Sequence, residues 1–145
     1  MNRKYEFTGE TRNWVGRTLH RIRAVRDFGD VKAGDLGGWI ETESNLSNDG
    51  NAWVSGNAWV YGDARVYGRK HILWISMIGS RDDTVTFMRA KDEKILVIVG
   101  CFAGTIDEFS EKVKETHGDN EHGKAYRLAI ELAKLRIDLD KEETK

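Results

Sequence analysis

The sequence predicts a β-rich α+β fold: a short hexapeptide-repeat core of β-helix or prism type, a β-hairpin, and two C-terminal helices. Three observations carry that prediction. Residues 51–68, NAWVSGNAWVYGDARVYG, repeat with a period of six; residues 72–100 alternate β-rich runs with turns; and residues 105–138 combine a capping signal with helical spacing of apolar side chains. In the repeat, Val54, Val60 and Val66 are equivalent, as are Gly56, Gly62 and Gly68, Ala52, Ala58 and Ala64, and Asn51, Asn57 and Asp63. A fixed period constrains architecture more strongly than local propensity does. Six fits neither the helical 3.6 nor plain two-residue alternation. It is the period of a left-handed parallel β-helix, in which Val points into the prism, Ala fits beside it and Gly permits the corner.

Three units make about one coil, which cannot bury its own core. Fainter units extend it: Ile40 to Leu46 is one period, and Val66, Ile72 and Ile78 keep the spacing. Leu46 to Val54 is two residues too long, so residues 48–50 would absorb the insertion in a loop. An antiparallel meander with Gly-centred turns is the competing arrangement. Both leave strand edges, which proteins cover with helices or another subunit. Self-association is therefore expected.

The 145 residues suit one domain, or two small lobes sharing a core: a β-rich region 1–78 with the repeats, and a hairpin-plus-helices region 79–145. No apolar run reaches the length of a membrane span, and residues 1–10 lack the hydrophobic core of a secretion signal. The single cysteine, Cys101, excludes an internal disulfide and fits a reducing, cytoplasmic setting as a buried inert thiol rather than a nucleophile. Net charge is −1 but uneven: residues 3–32 hold eight basic and four acidic side chains, whereas residues 35–68 hold five acidic ones and one Arg. Such polarity can orient subunits or gather an anionic ligand at the basic end.

Along the chain, residues 5–7 start a strand, residues 9–13 read as a turn, and residues 18–25 (TLHRIRAV) read as a strand in preference to a helix. Gly37 and Gly38 before Trp39 predict a tight bend that presents the indole. The run Ile72–Ile78 is a strand, and residues 84–89 and 94–100 form a hairpin. Residues 100–104 then turn. Thr105 and Glu108 form a capping box for a helix to about Thr116 that buries Ile106, Phe109 and Val113. A second helix over 121–138 places Leu128, Leu132 and Leu135 on one stripe, broad enough with its neighbours to pack on a sheet and on the first helix. Residues 141–145 are a solvated tail.

The run AVRDFGDVKAGDLGGWIE (24–41), followed by hexads of the form G-[ND]-A-x-V-x, resembles bacterial and prophage proteins of the hexapeptide-repeat, left-handed β-helix type. The resemblance spans residues 17–68. It implies a β-helical scaffold and, by analogy with transferases of that type, an acyl-group transferase acting at an inter-subunit cleft. Such enzymes carry many more coils and a catalytic His. Here the perfect hexads contain no His, which leaves His71 or His20 as the base.

Other chemistry is sparse. His117 and His122 flank a short turn, without a third ligand at zinc spacing, so helix-end capping or solvent contact is the expected role and no metal or cofactor is expected. No G-x-S-x-G, C-x-x-C or phosphate loop occurs. The carboxylate pairs Asp82/Asp83 and Asp107/Glu108 read as a turn and a helix cap. The Arg series is richer: Arg17, Arg21, Arg23 and Arg26, with Trp14, Phe28 and Trp39 and with Arg12 nearby, could line an anion pocket in which aromatic rings stack a base. Alternatively, these arginines answer Asp27, Asp30, Asp35, Glu41 and Glu43 in ion pairs. A long nucleic acid is disfavoured by the acidic groups in both halves. Trp53 and Trp59, with Arg65, and Tyr61 with Tyr67 recur on the outward positions of the hexads. They predict coverage by the helices, a homo-oligomer interface, or contact with a foreign protein. The sequence thus favours a non-catalytic, oligomeric binding protein for a small phosphorylated or nucleotide-like host signal, over an acyltransferase or a host-protein inhibitor.

Overall fold

A computed structural model describes residues 3–14, 16–100 and 102–139. Cys101 and the tail 141–145 lie outside the described residues. The chain forms β1 (Tyr5–Trp14), β2 (Arg17–Ala24), β3 (Leu36–Ile40), β4 (Trp59–Val60), β5 (Ile72–Ile78), β6 (Asp83–Ala90), β7 (Lys94–Val99), β8 (Phe102–Thr105), α1 (Ile106–His117) and α2 (Glu121–Arg136). Among the described residues the strands make two separate four-stranded sheets, β1-β2-β3-β4 and β5-β6-β7-β8. The second is antiparallel throughout, whereas β4 joins β3 in parallel.

Among the described residues the expected β-helix or prism is not present: neither sheet closes on itself, and the architecture is an open α+β fold. The hexads do turn their small and branched residues inward, for Ala52, Val54, Ala58, Val60, Ala64 and Val66 are all fully buried. They contribute only the two-residue β4 to a sheet, plus a parallel bridge between Leu46 and Val66. The edge that a further coil would use is taken by β6. Ala64 bridges antiparallel to Ala90, and the Arg65 N–H donates to the Arg89 carbonyl at 2.9 Å.

Two apolar clusters result. The first sheet and the hexads pack against one face of the second sheet through Ile72, Met88 and Ile98. Its other face, with Val85, Phe87 and Val97, packs on Phe109 and Val113 of α1 and on Ala129, Ile130 and Ala133 of α2. Thr105 caps α1 as its sequence implies: its hydroxyl accepts the Glu108 N–H at 3.2 Å, and Glu108 accepts the Thr105 N–H at 2.8 Å.

Several local expectations change. Residues 9–13 belong to the continuous strand β1, which bulges between Phe7 and Thr11 instead of turning. Gly37 and Gly38 lie inside β3, and residues 102–105 form an edge strand where a turn was expected. On α2, Leu128, Leu132 and Leu135 face solvent, while Tyr126, Ala129, Ile130 and Ala133 face the core.

The first sheet is closed off at one end by a buried cation. Lys4 is fully buried, its ammonium donating to the Ala52 carbonyl at 2.7 Å and lying 5.0 Å from the Phe28 ring centre. Burial, with Arg26 adding and Asp49 opposing, pushes it down to about 8. Below that pH Lys4 is charged in both folded and unfolded chains. Between about pH 8 and its ordinary 10.5 the folded chain gives up the proton first, so stability rises with pH. Burial pushes the Tyr5 phenol up, and Tyr61 up to about 12, so their stabilising effect is complete below the ordinary value of 10.0 and is lost above it. The urea midpoint is expected to climb from pH 8 to about 10 and then fall, and Lys4→Met is expected to remove the climb. A flat or falling midpoint over that window would contradict the placement of Lys4.

Candidate functional site

The structure distributes the predicted arginine site along the first sheet instead of gathering it around a hollow. Arg17 binds Glu41 at 2.8 Å and lies 5.2 Å from the Tyr61 ring centre. Arg21 reaches Glu10 at 3.5 Å and the Gly37 carbonyl at 3.4 Å. Arg23 makes a two-pronged bond to Glu6, its Nε at 3.0 Å. Arg12 stacks over Trp39 at 4.4 Å and also lies 5.6 Å from the Trp59 ring centre. Arg26 and Phe28 sit apart from these, beside Lys4, where Arg26 donates to the Asn48 carbonyl at 2.8 Å. Trp14 joins the sheets by donating its indole N–H to the Gly100 carbonyl at 2.8 Å. Most of these guanidinium groups therefore already hold a carboxylate or an indole.

The expected interface residues are largely covered by their own chain. Trp53 packs edge-on against Phe28 at 5.3 Å and Tyr5 at 6.5 Å, and Trp59 against Trp14 at 6.1 Å. Tyr61 is buried, its hydroxyl donating to the Val97 carbonyl at 3.2 Å. Arg65 turns back to the Ala64 carbonyl, and Tyr67 stays exposed beside His71. The cover comes from β1, the β2–β3 loop and the second sheet, not from the helices.

A different concavity carries uncommitted charge. The turn from β5 to β6, the β7–β8 end of the second sheet and the two helices enclose a cleft of about 710 Å3, lined among others by Arg81, Asp83, Phe102, Phe109, Lys112, His117 and Tyr126. Its wall is aromatic. Phe109 meets Tyr126 edge-on at 5.3 Å and Phe102 at a tilt of 43° at 5.2 Å, and His117 lies at 26° to Tyr126 with centres 5.8 Å apart. His117 and His122, paired by the short α1–α2 turn, are 5.6 Å apart. Gly79 lets the β5–β6 turn press onto Tyr126: its φ is +83°, and a Cβ there would sit 2.1 Å from the phenol oxygen. Burial, and secondarily the Asp83 carboxylate, push the Tyr126 phenol up. Among the described residues neither Arg81 nor Lys112 forms an ion pair, and no set of three His, Cys, Asp or Glu side chains could hold a metal. Two cations lining one cleft with aromatic rings can hold an anion attached to a flat group, and Asp83 can accept a ligand hydroxyl. Sequence reading passed over Arg81, Lys112 and Tyr126 and assigned Asp83 to a plain turn. The only local signal was a left-handed Gly79 followed closely by Arg81 and Asp83.

No protein-family model matches the chain. Over 50 residues it is 42% identical to an Escherichia coli (strain K12) protein named as the uncharacterized acetyltransferase YdcK. That match covers 34% of this chain and 14% of the E. coli protein. The likeness is partial. The expected resemblance to hexapeptide-repeat, left-handed β-helical proteins is corrected: both sheets are open, and the sequence relationship to the protein named as an acetyltransferase is local. Among the described residues no helix is long and apolar enough to cross a membrane.

Proposed function

We propose that the protein is a non-catalytic binding protein for a small phosphorylated, nucleotide-like ligand, taken up in the cleft between the β5–β6 turn and the helices. The observation that supports this is the pairing of Arg81 and Lys112, free of ion pairs among the described residues, with the rings of Phe102, Phe109, His117 and Tyr126 in one cavity. Charge-assisted bonds to the phosphate and stacking on Phe102 or His117, the half-buried rings of the wall, would act together. Isothermal titration of the full chain with nucleoside monophosphates, cyclic and linear dinucleotides and acetyl-CoA tests the reading. At least one nucleotide is expected to bind saturably. The double variant Arg81→Ala/Lys112→Ala is expected to weaken it about tenfold or more, while Arg23→Ala leaves it within about twofold. A panel without any binding nucleotide would contradict the proposal.

Acyl transfer is the second reading, and the sequence match favours it, because the matched protein's name is that of an acetyltransferase. The geometry weighs against one of the two candidate bases, His71. His20 is stacked flat on Phe7 at 4.3 Å, and the His71 Nδ1 accepts the Tyr67 and Gly68 N–H groups at 3.0 and 3.1 Å, which occupies the lone pair a base needs. Acetyl-CoA consumption that disappears in His71→Ala would decide for transfer.

A further inference from the structure

We infer that the protein self-associates through α2, whose exposed leucine seam pairs in parallel with the same helix of a second copy. Leu128, Leu132 and Leu135 are 72%, 41% and 80% exposed, although they lie on a helix whose opposite side is buried through Tyr126, Ala129, Ile130 and Ala133. The helix thus carries two apolar stripes, and its own fold uses one. Leu128, Leu132 and Leu135 are spaced four and three residues apart, the alternation of d, a and d positions in a two-stranded seam. Large exposed apolar side chains in a row mark a surface that is covered in the working molecule.

The flanking charges name the occupant. With Leu132 at a and Leu135 at d, Glu131 falls at g and Arg136 at the following e. A parallel pair sets Glu131 of each copy against Arg136 of the other, twice by symmetry. An antiparallel pair sets g against g and brings Glu131 onto its own copy, like charge on like. Neither Glu131 nor Arg136 has an ion-pair partner in its own chain among the described residues. The surface is therefore complementary to itself in one orientation.

Sedimentation velocity of the full chain from about 1 to about 200 μM tests this, a range suited to a single-helix interface. The mass is expected to move from one chain to two. Leu128→Lys/Leu135→Lys is expected to weaken the dimer about a hundredfold or more, with the circular dichroism of the folded chain unchanged. Glu131→Arg and Arg136→Glu are each expected to weaken it about tenfold, and their combination to return it within about threefold of the original. A single-chain mass at every concentration, a dimer indifferent to the leucine changes, or folded charge variants without rescue would each overturn the inference.

Discussion

Replacing Gly38 with alanine is expected to destabilise the chain by about 3 kcal/mol or more, at the upper end of what overpacking costs. A Cβ on Gly38 would lie 2.6 Å from the Ala58 carbonyl oxygen and 2.9 Å from a Val54 methyl. One on Gly37 would lie 2.6 Å from the Val54 carbonyl oxygen and 2.7 Å from both Ile22 and Trp53. The obstacles to both are backbone oxygens, which cannot rotate away. They are also hydrogen-bonded to this strand: Gly38 N–H to Val54 at 2.7 Å and Trp39 N–H to Ala58 at 3.1 Å. Relief of the clash therefore breaks the link between β3 and the hexads. Gly56 provides the control, since it needs its left-handed φ of +60° but a Cβ placed on it would meet nothing within 4 Å. Its alanine variant is expected to cost about 1 kcal/mol. Urea unfolding should separate the two clearly, and equal midpoints would contradict the close approach.

Asn45→Ala is expected to lower the melting temperature by about 10 °C, corresponding to about 3 kcal/mol for a chain of this size. Asn45 is fully buried and its amide is saturated. The side-chain oxygen accepts the Glu41 and Thr42 N–H groups at 3.1 and 2.9 Å, and the nitrogen donates to the Gly62 and Ala64 carbonyls at 3.1 and 3.0 Å. It thereby ties the end of β3 to the second and third hexads. Alanine leaves the Thr42 N–H and both carbonyls without that partner, each loss costing about 1–3 kcal/mol where water cannot replace it. Asn45→Asp keeps the acceptor but turns a negative charge toward the two carbonyls, so little rescue is expected. A melting temperature within about 2 °C of the parent would show that the amide is not the tie described.

What the sequence made legible was set by local period, and what it hid was set by distance. The six-residue spacing correctly placed Val54, Val60 and Val66 inside, because alternation fixes which side chains share a face. Closure into a coil depends on how strand edges are satisfied, and here Ala90 of β6, more than twenty residues downstream of Ala64, occupies that edge. The capping box of α1 was readable because Thr105 and Glu108 are three residues apart. The Gly37-Gly38 pair was misread as a bend, since glycine serves equally for bending and for close approach. On α2 two apolar stripes compete, and spacing alone does not say which faces inward. The arginines of β2 drew notice as a series, yet their glutamate partners lie on β1 or in the loop after β3. Arg81, Lys112 and Tyr126 are far apart in sequence, and only the packing of α1 and α2 on the second sheet brings them to one cleft.

Isotope-edited NMR of the full chain, titrated with a nucleoside monophosphate or dinucleotide that binds, reads the location of the ligand directly. The ring signals of His117, Tyr126 and Phe109 are expected to move together and saturate, while the Arg17, Arg21 and Arg23 Nε–H signals stay in place. Movement of those arginine signals with the cleft rings unchanged would put the ligand on the first sheet and contradict a cleft that binds between the β5–β6 turn and the helices.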